Sequence, residues 1–504
     1  MSEEVFKNKK IRKLLEKYAE IWALGYASSL LSWDLDTYMP RGAVEERGKA
    51  KATLNLLRQK LYLSTEFKEL FKEAEKEEGL NDYEKGVIRV VKRTLEYFEK
   101  IPPELIKEEA ITVSKARVVW ERAKEKSDFS MFKPHLEKIV DIQRRKAEYL
   151  LKDKEGTLYD ALLDLYEEGL THKDVDRVFG EIKEPLTKLF RKILDSDMYP
   201  RSHPLEEEKY DIEAMRHLNI LVLEYFGYDF NRGRLDESAH PFTIEMGIDD
   251  VRITTWYHGK DFRRSLGAVA HEFGHALYEM QIDKRLAGTP IATGVSMGVH
   301  ESQSRFWENI VWRSREFVET FIRDMRALLP FLRNYSSEDV YKYFAMVRPE
   351  YIRVEADEVH YPLHIILRYE IEKDMLEEKL SIDELPQVWN EKMQSYIGIT
   401  PRKDSEGVLQ DVHWSIGAIG YFPTYALGSI LSAQFLRKYE EDCGPISEAI
   451  RERRFDKISE WQKEKIHRWG STYPPKELVK KATGEDINPR YFLEYLEKKY
   501  LKGG

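Results

Sequence analysis

The chain has 504 residues, 42% hydrophobic and 34% charged, with a net charge of −9 and one cysteine. That balance suits a large globular protein with a sizeable core. It shows no strongly basic face, which argues against nucleic acid or an anionic membrane as partner, and no apolar run reaches the roughly 20 residues that span a bilayer.

Residues 1–230 read as helix after helix. Over 6–31, Ile11, Leu14, Leu15, Tyr18, Ile21 and Trp22 recur at helical spacing among Lys and Glu. The segment 33–42, with Pro40 and Gly42, breaks the pattern. Helical periodicity resumes over 43–61, 66–78, 82–100, 104–126 and 131–152, then over 171–195 and 206–225. No repeat, low-complexity run or flexible linker intervenes, so 1–504 is expected to be one unit. Within it, 1–230 would form a helical lobe walling a cleft, 231–430 would carry the site, and 431–504 would add closing helices.

Strand-like sequence comes next. Residues 240–246 and 251–257, around a turn at 247–250, read as a short hairpin. Asp250, Arg252 and Thr254 share one face of its second arm, with Val251, Ile253 and Thr255 on the other. Such an edge can pair with an extended peptide by strand addition; a plain structural hairpin is the alternative.

The stretch 265–280, S-L-G-A-V-A-H-E-F-G-H-A-L-Y-E-M, follows directly. Wound as a helix, it places Leu266, Val269, Ala270, Phe273, Leu277 and Met280 in one apolar stripe. His271 and His275, one turn apart, point together, nearly opposite that stripe. Core histidines would lie on or beside it, so the pair reads as half a zinc site, with Glu272 beside it as a base. Gly274 and Ala276 leave room for something to approach. Beyond a loop at 288–298, residues 299–329 read as one long helix, a further strand is plausible at 351–356, and helix resumes over 362–378. From 382 to 501 the chain is mainly helical, with turns near Pro401 and over 417–428.

A catalytic zinc needs one more protein ligand and a water. Glu301 and Glu308 both lie on the helix after the site, sharing a face with Arg305 and Trp312. Glu301 ranks first, since a loop–helix junction reaches a neighbouring helix more freely than mid-helix does. Cys443, the lone cysteine, allows neither an intramolecular disulfide nor a cysteine-based site. The N-terminus lacks a secretion-type apolar stretch, so the cytoplasm is the expected compartment. Asn and Gln number nine each, a scarcity that resembles hyperthermophile proteins.

Several motifs together resemble the carboxypeptidase Taq family of thermostable metallocarboxypeptidases. They are His240-Pro241-Phe242, Asp250-Val251-Arg252-Ile253-Thr254, His271-Glu272-Phe273-Gly274-His275, His300-Glu301-Ser302-Gln303, Ile352-Arg353 through Ala356-Asp357, and Gly407 through Gln410-Asp411-Val412-His413-Trp414. The segment around Trp33-Asp34 and Thr37–Pro40 resembles the family's N-terminal signature. The resemblance implies a mainly α, two-lobed helical fold like neurolysin and angiotensin-converting enzyme, with a deep cleft and a small antiparallel sheet. It implies that His271, His275 and Glu301 hold one Zn2+ per chain, or Co2+, with Glu272 as general base. His413 and Tyr425 are candidates for stabilising the oxyanion. Arg353 is the first choice to clamp a substrate carboxylate, by its planar fork, Arg252 the second, and His240 a subsite residue. The implied reaction is release of single amino acids from free peptide C-termini, by a homodimer. An oligoendopeptidase or dipeptide-releasing carboxypeptidase is the nearest rival, and a non-catalytic helical metal-binding scaffold the more distant one.

Overall fold

A computed structural model describes residues 4–152, 154–196 and 198–502. The chain is mainly helical. α1 (Lys9–Asp36), α2 (Val44–Tyr62), α3 (Thr65–Glu75), α4 (Asp82–Lys100), α5 (Pro103–Lys126) and α6 (Phe129–Leu151) fall close to their predicted bounds. α7 (Leu158–Leu163), α8 (His172–Asp195) and α9 (Ile212–Phe226) complete the run. α1 continues through Trp33 to Asp36, so the break falls only at Thr37–Pro40. Among the described residues no helix is long and apolar enough to cross a membrane.

Two large apolar cores form. α1, α3 and α4 enclose the smaller one through Leu14, Ile21, Phe67, Val87 and Val91, with Phe6 ahead of α1, and it is closed by Ile248, Ile282, Leu286 and Ile291 from the middle of the chain. α6, α8 and α9 instead contribute to the main core, shared with everything that follows. The first 230 residues are thus shared between the two apolar cores, which part near residue 100. The reason is non-local: periodicity shows which face is apolar, not which neighbour covers it.

The sheet has three strands, β1 (Leu235–Glu237), β2 (Thr243–Gly247) and β3 (Asp250–Thr255), in the order β1-β3-β2. β2 and β3 form the expected antiparallel hairpin, with a register shift between Glu245 and Gly247. β1 joins β3 in parallel, Leu235 opposite Ile253, so the sheet is mixed rather than wholly antiparallel. Three residues with two acids carry no strand signal of their own; β1 exists because β3 offers it a free edge.

α10 (Phe262–Met280) is the predicted site helix. Its whole apolar stripe is buried in the main core. The long helix expected over 299–329 is instead three pieces. α11 (Met297–Arg305) runs into a wider π turn, Phe306–Trp312, and Ser314 then caps α12 (Arg315–Leu328), its Oγ accepting from Phe317 N at 3.1 Å. After α13 (Ser337–Phe344), the strand expected at 351–356 is a 3-10 turn, Arg353–Glu355. There the Gln410 side chain does a partner strand's work: its Oε1 accepts from Arg353 N at 2.8 Å and its Nε2 donates to Tyr351 O at 3.0 Å. α14 (Tyr361–Leu376), α15 (Leu385–Tyr396), α16 (Pro423–Cys443), α17 (Ile446–Arg451), α18 (Phe455–Lys465), α19 (Pro475–Thr483) and α20 (Arg490–Leu501) finish the chain.

Candidate functional site

α11 lies between α10 and α16, and each neighbour gives up a side chain to let it in. A Cβ on Gly274 of α10 would stand 2.3 Å from Gln303 O, and one on Gly428 of α16 would stand 2.4 Å from Glu301 Cγ. What approaches Gly274 is therefore the α11 backbone. This close crossing sets Glu301 against the two histidines. Glu301 Oε2 is 3.6 Å from His271 Nε2 and 3.4 Å from His275 Nε2. One ligand atom from each of the three lies within 4.8 Å of the others. In a tetrahedral zinc site with bonds of about 2.1 Å, ligand atoms are separated by about 3.4 Å. The two imidazoles and the carboxylate fit such an ion.

The outer contacts of these three are specific. His271 Nδ1 meets Glu308 Oε2 at 2.9 Å. Glu308 thus faces the ring nitrogen turned away from Glu301, which leaves it outside the three-residue set. Glu301 Oε1 accepts from Arg305 Nε at 2.7 Å and its Oε2 from Ser304 Oγ at 3.1 Å. Burial would push the Glu301 carboxyl up, but Arg305 and the histidines outweigh it and hold Glu301 ionised. The same contest, with Arg305, His271 and Arg313 on the winning side, lowers Glu308 to about 2. Burial lowers His275 to about 3, keeping it neutral, the form in which an imidazole can bind a metal.

Glu272 meets the hairpin. Its Oε2 accepts from Thr243 Oγ1 of β2 at 2.6 Å, and burial raises its carboxyl pKa. The hairpin therefore fixes the Glu272 carboxylate. Nothing in the sequence paired Thr243 with Glu272, because the contact crosses from strand to helix.

His271, Glu272 and Glu301 line a cavity of about 440 Å3, together with His240, Arg305, Arg353, Tyr361 and Tyr425. That volume lies in the range of small-ligand sites. Arg353 is buried on its wall. Its Nε donates to Asp411 Oδ1 at 2.9 Å and its Nη1 to Tyr361 OH at 2.9 Å, while the Tyr425 ring lies 4.9 Å from the guanidinium. Asp411 also accepts from Arg368 at 2.7 Å, so one carboxylate serves two buried guanidiniums. Arg252 is elsewhere. Asp250 holds it with bonds of 2.7 and 2.8 Å, the Trp33 ring covers it at 4.4 Å, and it does not line the cavity. His413 stands behind Tyr425, its Nε2 at 3.1 Å from the phenol oxygen, and burial lowers its pKa to about 4. Tyr425 itself is pushed well above its usual value by burial, so both are neutral at pH 7.

The arginines of the cavity were largely missed from sequence. Arg263, Arg264, Arg313 and Arg348 line it alongside Arg305 and Arg353. Arg353 stood out by its motif and Arg305 by its place one turn from Glu301; the other four had no local signal.

Comparison with known proteins gives the family. The family described as carboxypeptidase Taq (M32) metallopeptidase matches residues 13–500. Thermostable carboxypeptidase 1 of Pyrococcus furiosus is 51% identical over 500 residues, covering 99% of this chain and 100% of that protein. Carboxypeptidase 1 of Bacillus subtilis is 40% identical over 476 residues, 94% of each. The solved structure of the Pyrococcus furiosus carboxypeptidase in an apo-Mg form superposes with a TM-score of 0.97 at 51% identity, over 99% of this chain and 100% of that one. This chain belongs to the carboxypeptidase Taq family and is a metallocarboxypeptidase, a hydrolase of peptide bonds.

Proposed function

We propose that this metallocarboxypeptidase releases single amino acids from the free C-termini of peptides, with broad specificity. In this reading His271, His275 and Glu301 hold one Zn2+, which Co2+ can replace, and Glu272 is the general base. When bound there, such an ion supplies Lewis acidity, lowering the pKa of water towards about 7 and polarising a carbonyl. Glu272, held by Thr243 and buried against the same cavity, takes the proton of the attacking water and later delivers it to the leaving amine. Its raised pKa suits a group that must both accept and return a proton. Tyr425, a neutral phenol on the cavity wall backed by His413, donates to the developing oxyanion in this reading. His240, on the same wall, serves the substrate subsite.

The observation that carries the exopeptidase reading is the Arg353–Asp411–Arg368 cluster. Two guanidiniums share one carboxylate, which leaves a positive charge beside the cavity for a substrate carboxylate to balance. An endopeptidase has no use for it. Peptides with amidated C-termini should therefore be cleaved far more slowly than their free counterparts. Equal rates would favour endopeptidase activity, and release of dipeptides would favour the dipeptidyl alternative. For the base, Glu272→Gln should keep its metal by elemental analysis while turnover falls by about 10²–10⁴. Normal turnover in that variant would exclude Glu272 from the role. Homodimerisation and a cytoplasmic location belong to the same reading; sedimentation and cell fractionation test them.

A further inference from the structure

His300 belongs to the H-E-S-Q motif, yet neither the ligand set nor the base uses it. Its Nδ1 lies 2.6 Å from Nδ1 of His275, and its Nε2 lies 2.9 Å from Oε1 of Glu279. Glu279 is buried and also accepts from Gly294 N at 2.8 Å. The ring is built into place. A Cβ on Gly294 would stand 2.5 Å from His300 Cδ2, and the Tyr278 ring packs 5.1 Å away on another side. His271, His275 and Glu279 follow one another at single-turn spacing on α10. The chain of contacts thus leaves α10 at His275, crosses to α11 at His300, and returns to α10 at Glu279.

We propose that His300 is a positioning residue for the metal site. It fixes the ring of His275 in the tautomer and orientation that present Nε2 to the ion. An imidazole that ligates through Nε2 carries its proton on Nδ1. His275 must then donate to His300 Nδ1, which requires His300 to carry its own proton on Nε2, facing Glu279. With both imidazoles neutral and Glu279 ionised, one arrangement of protons satisfies all three groups, and it is the arrangement ligation needs. His271 reaches the same end by a shorter route, its Nδ1 meeting Glu308 directly. The two ligand histidines are therefore oriented differently, one by a carboxylate and one through a second imidazole.

The inference rests on the ligand assignment proposed above, and two variants separate them. His300→Asn keeps an acceptor where Nδ1 stands but cannot reach Glu279. His300→Gln keeps the reach to Glu279 and more of the ring's volume but has no acceptor for His275. The measurement is the zinc dissociation constant, by competition with a chromophoric chelator at fixed pH, alongside the melting midpoint of each metal-free protein. His300→Gln should bind zinc about 10- to 100-fold more weakly than the wild type, and His300→Asn should stay closer to it. A space-filling role predicts the reverse order, so equal affinities, or tighter binding by the Gln variant, overturn the proposal. Glu301→Ala is the control. If it still holds an ion as tightly as the wild type, the ligand assignment falls, and the role of His300 with it; if it loses the ion while the two His300 variants bind alike, only the role of His300 falls.

Discussion

Arg353 and Arg252 differ in how their charges are matched. The sequence offered two arginines, each with acidic neighbours, and no local rule separated them. The structure separates them by what is left over. Arg252 has its charge matched by its own Asp250, whereas Arg353 shares Asp411 with Arg368 on the cavity wall. Arg353→Ala should lower kcat/KM for free-carboxylate peptides by about 10- to 100-fold, the loss of a charge-assisted contact. Metal content should not change, and cleavage of amidated peptides should fall much less. Arg252→Ala should instead destabilise the hairpin while changing that ratio little. Equal losses on both substrates in Arg353→Ala would remove it from the clamp. The motif residues His271, Glu272 and His275 were legible because their geometry is set within one helix. Thr243, and the crossing from His275 through His300 to Glu279, depend on which elements meet, and no spacing encodes that.

At the scale of elements, the site depends on how closely α11 approaches α10. Helical periodicity located α2 to α6, α8, α10 and α14 to within three residues, because their apolar faces repeat locally. It missed the π turn at Phe306–Trp312, since an inserted residue leaves composition unchanged. Even so, Glu301, Arg305, Glu308 and Trp312 line one cavity, as the shared face implied. The space beside Gly274 is taken by a backbone: Gln303 O would lie 2.3 Å from an added Cβ. No rotamer change relieves a clash with a carbonyl, so α11 must shift. Gly274→Ala should cost about 1–3 kcal/mol of stability as an overpacking change, seen as a lower melting midpoint. Because the shift carries Glu301 with it, zinc affinity should fall too. Unchanged affinity in a folded Gly274→Ala protein would show that the crossing does not set the ligand geometry.

Across the whole molecule, the division into two cores predicts where metal removal is felt. His271, His275 and Glu301 all stand on helices of the main core, whereas α1, α3 and α4 pack around their own. An ion that binds only the folded state stabilises it by about 2.7 kcal/mol at a hundredfold excess over its dissociation constant. That stabilisation reaches only segments that must open for the ligands to separate. Chelation should therefore accelerate hydrogen exchange in α10, α11 and the β2–β3 hairpin that holds Glu272. Amides in α1, α3 and α4 should exchange at the same rate with and without metal, provided their core opens independently. The two cores do meet at Ile248, Ile282, Leu286 and Ile291, which flank the hairpin turn and the end of α10. If α4 amides accelerate as much as those of α10, that contact couples the cores into one cooperative unit, and the N-terminal helices take part in holding the metal site.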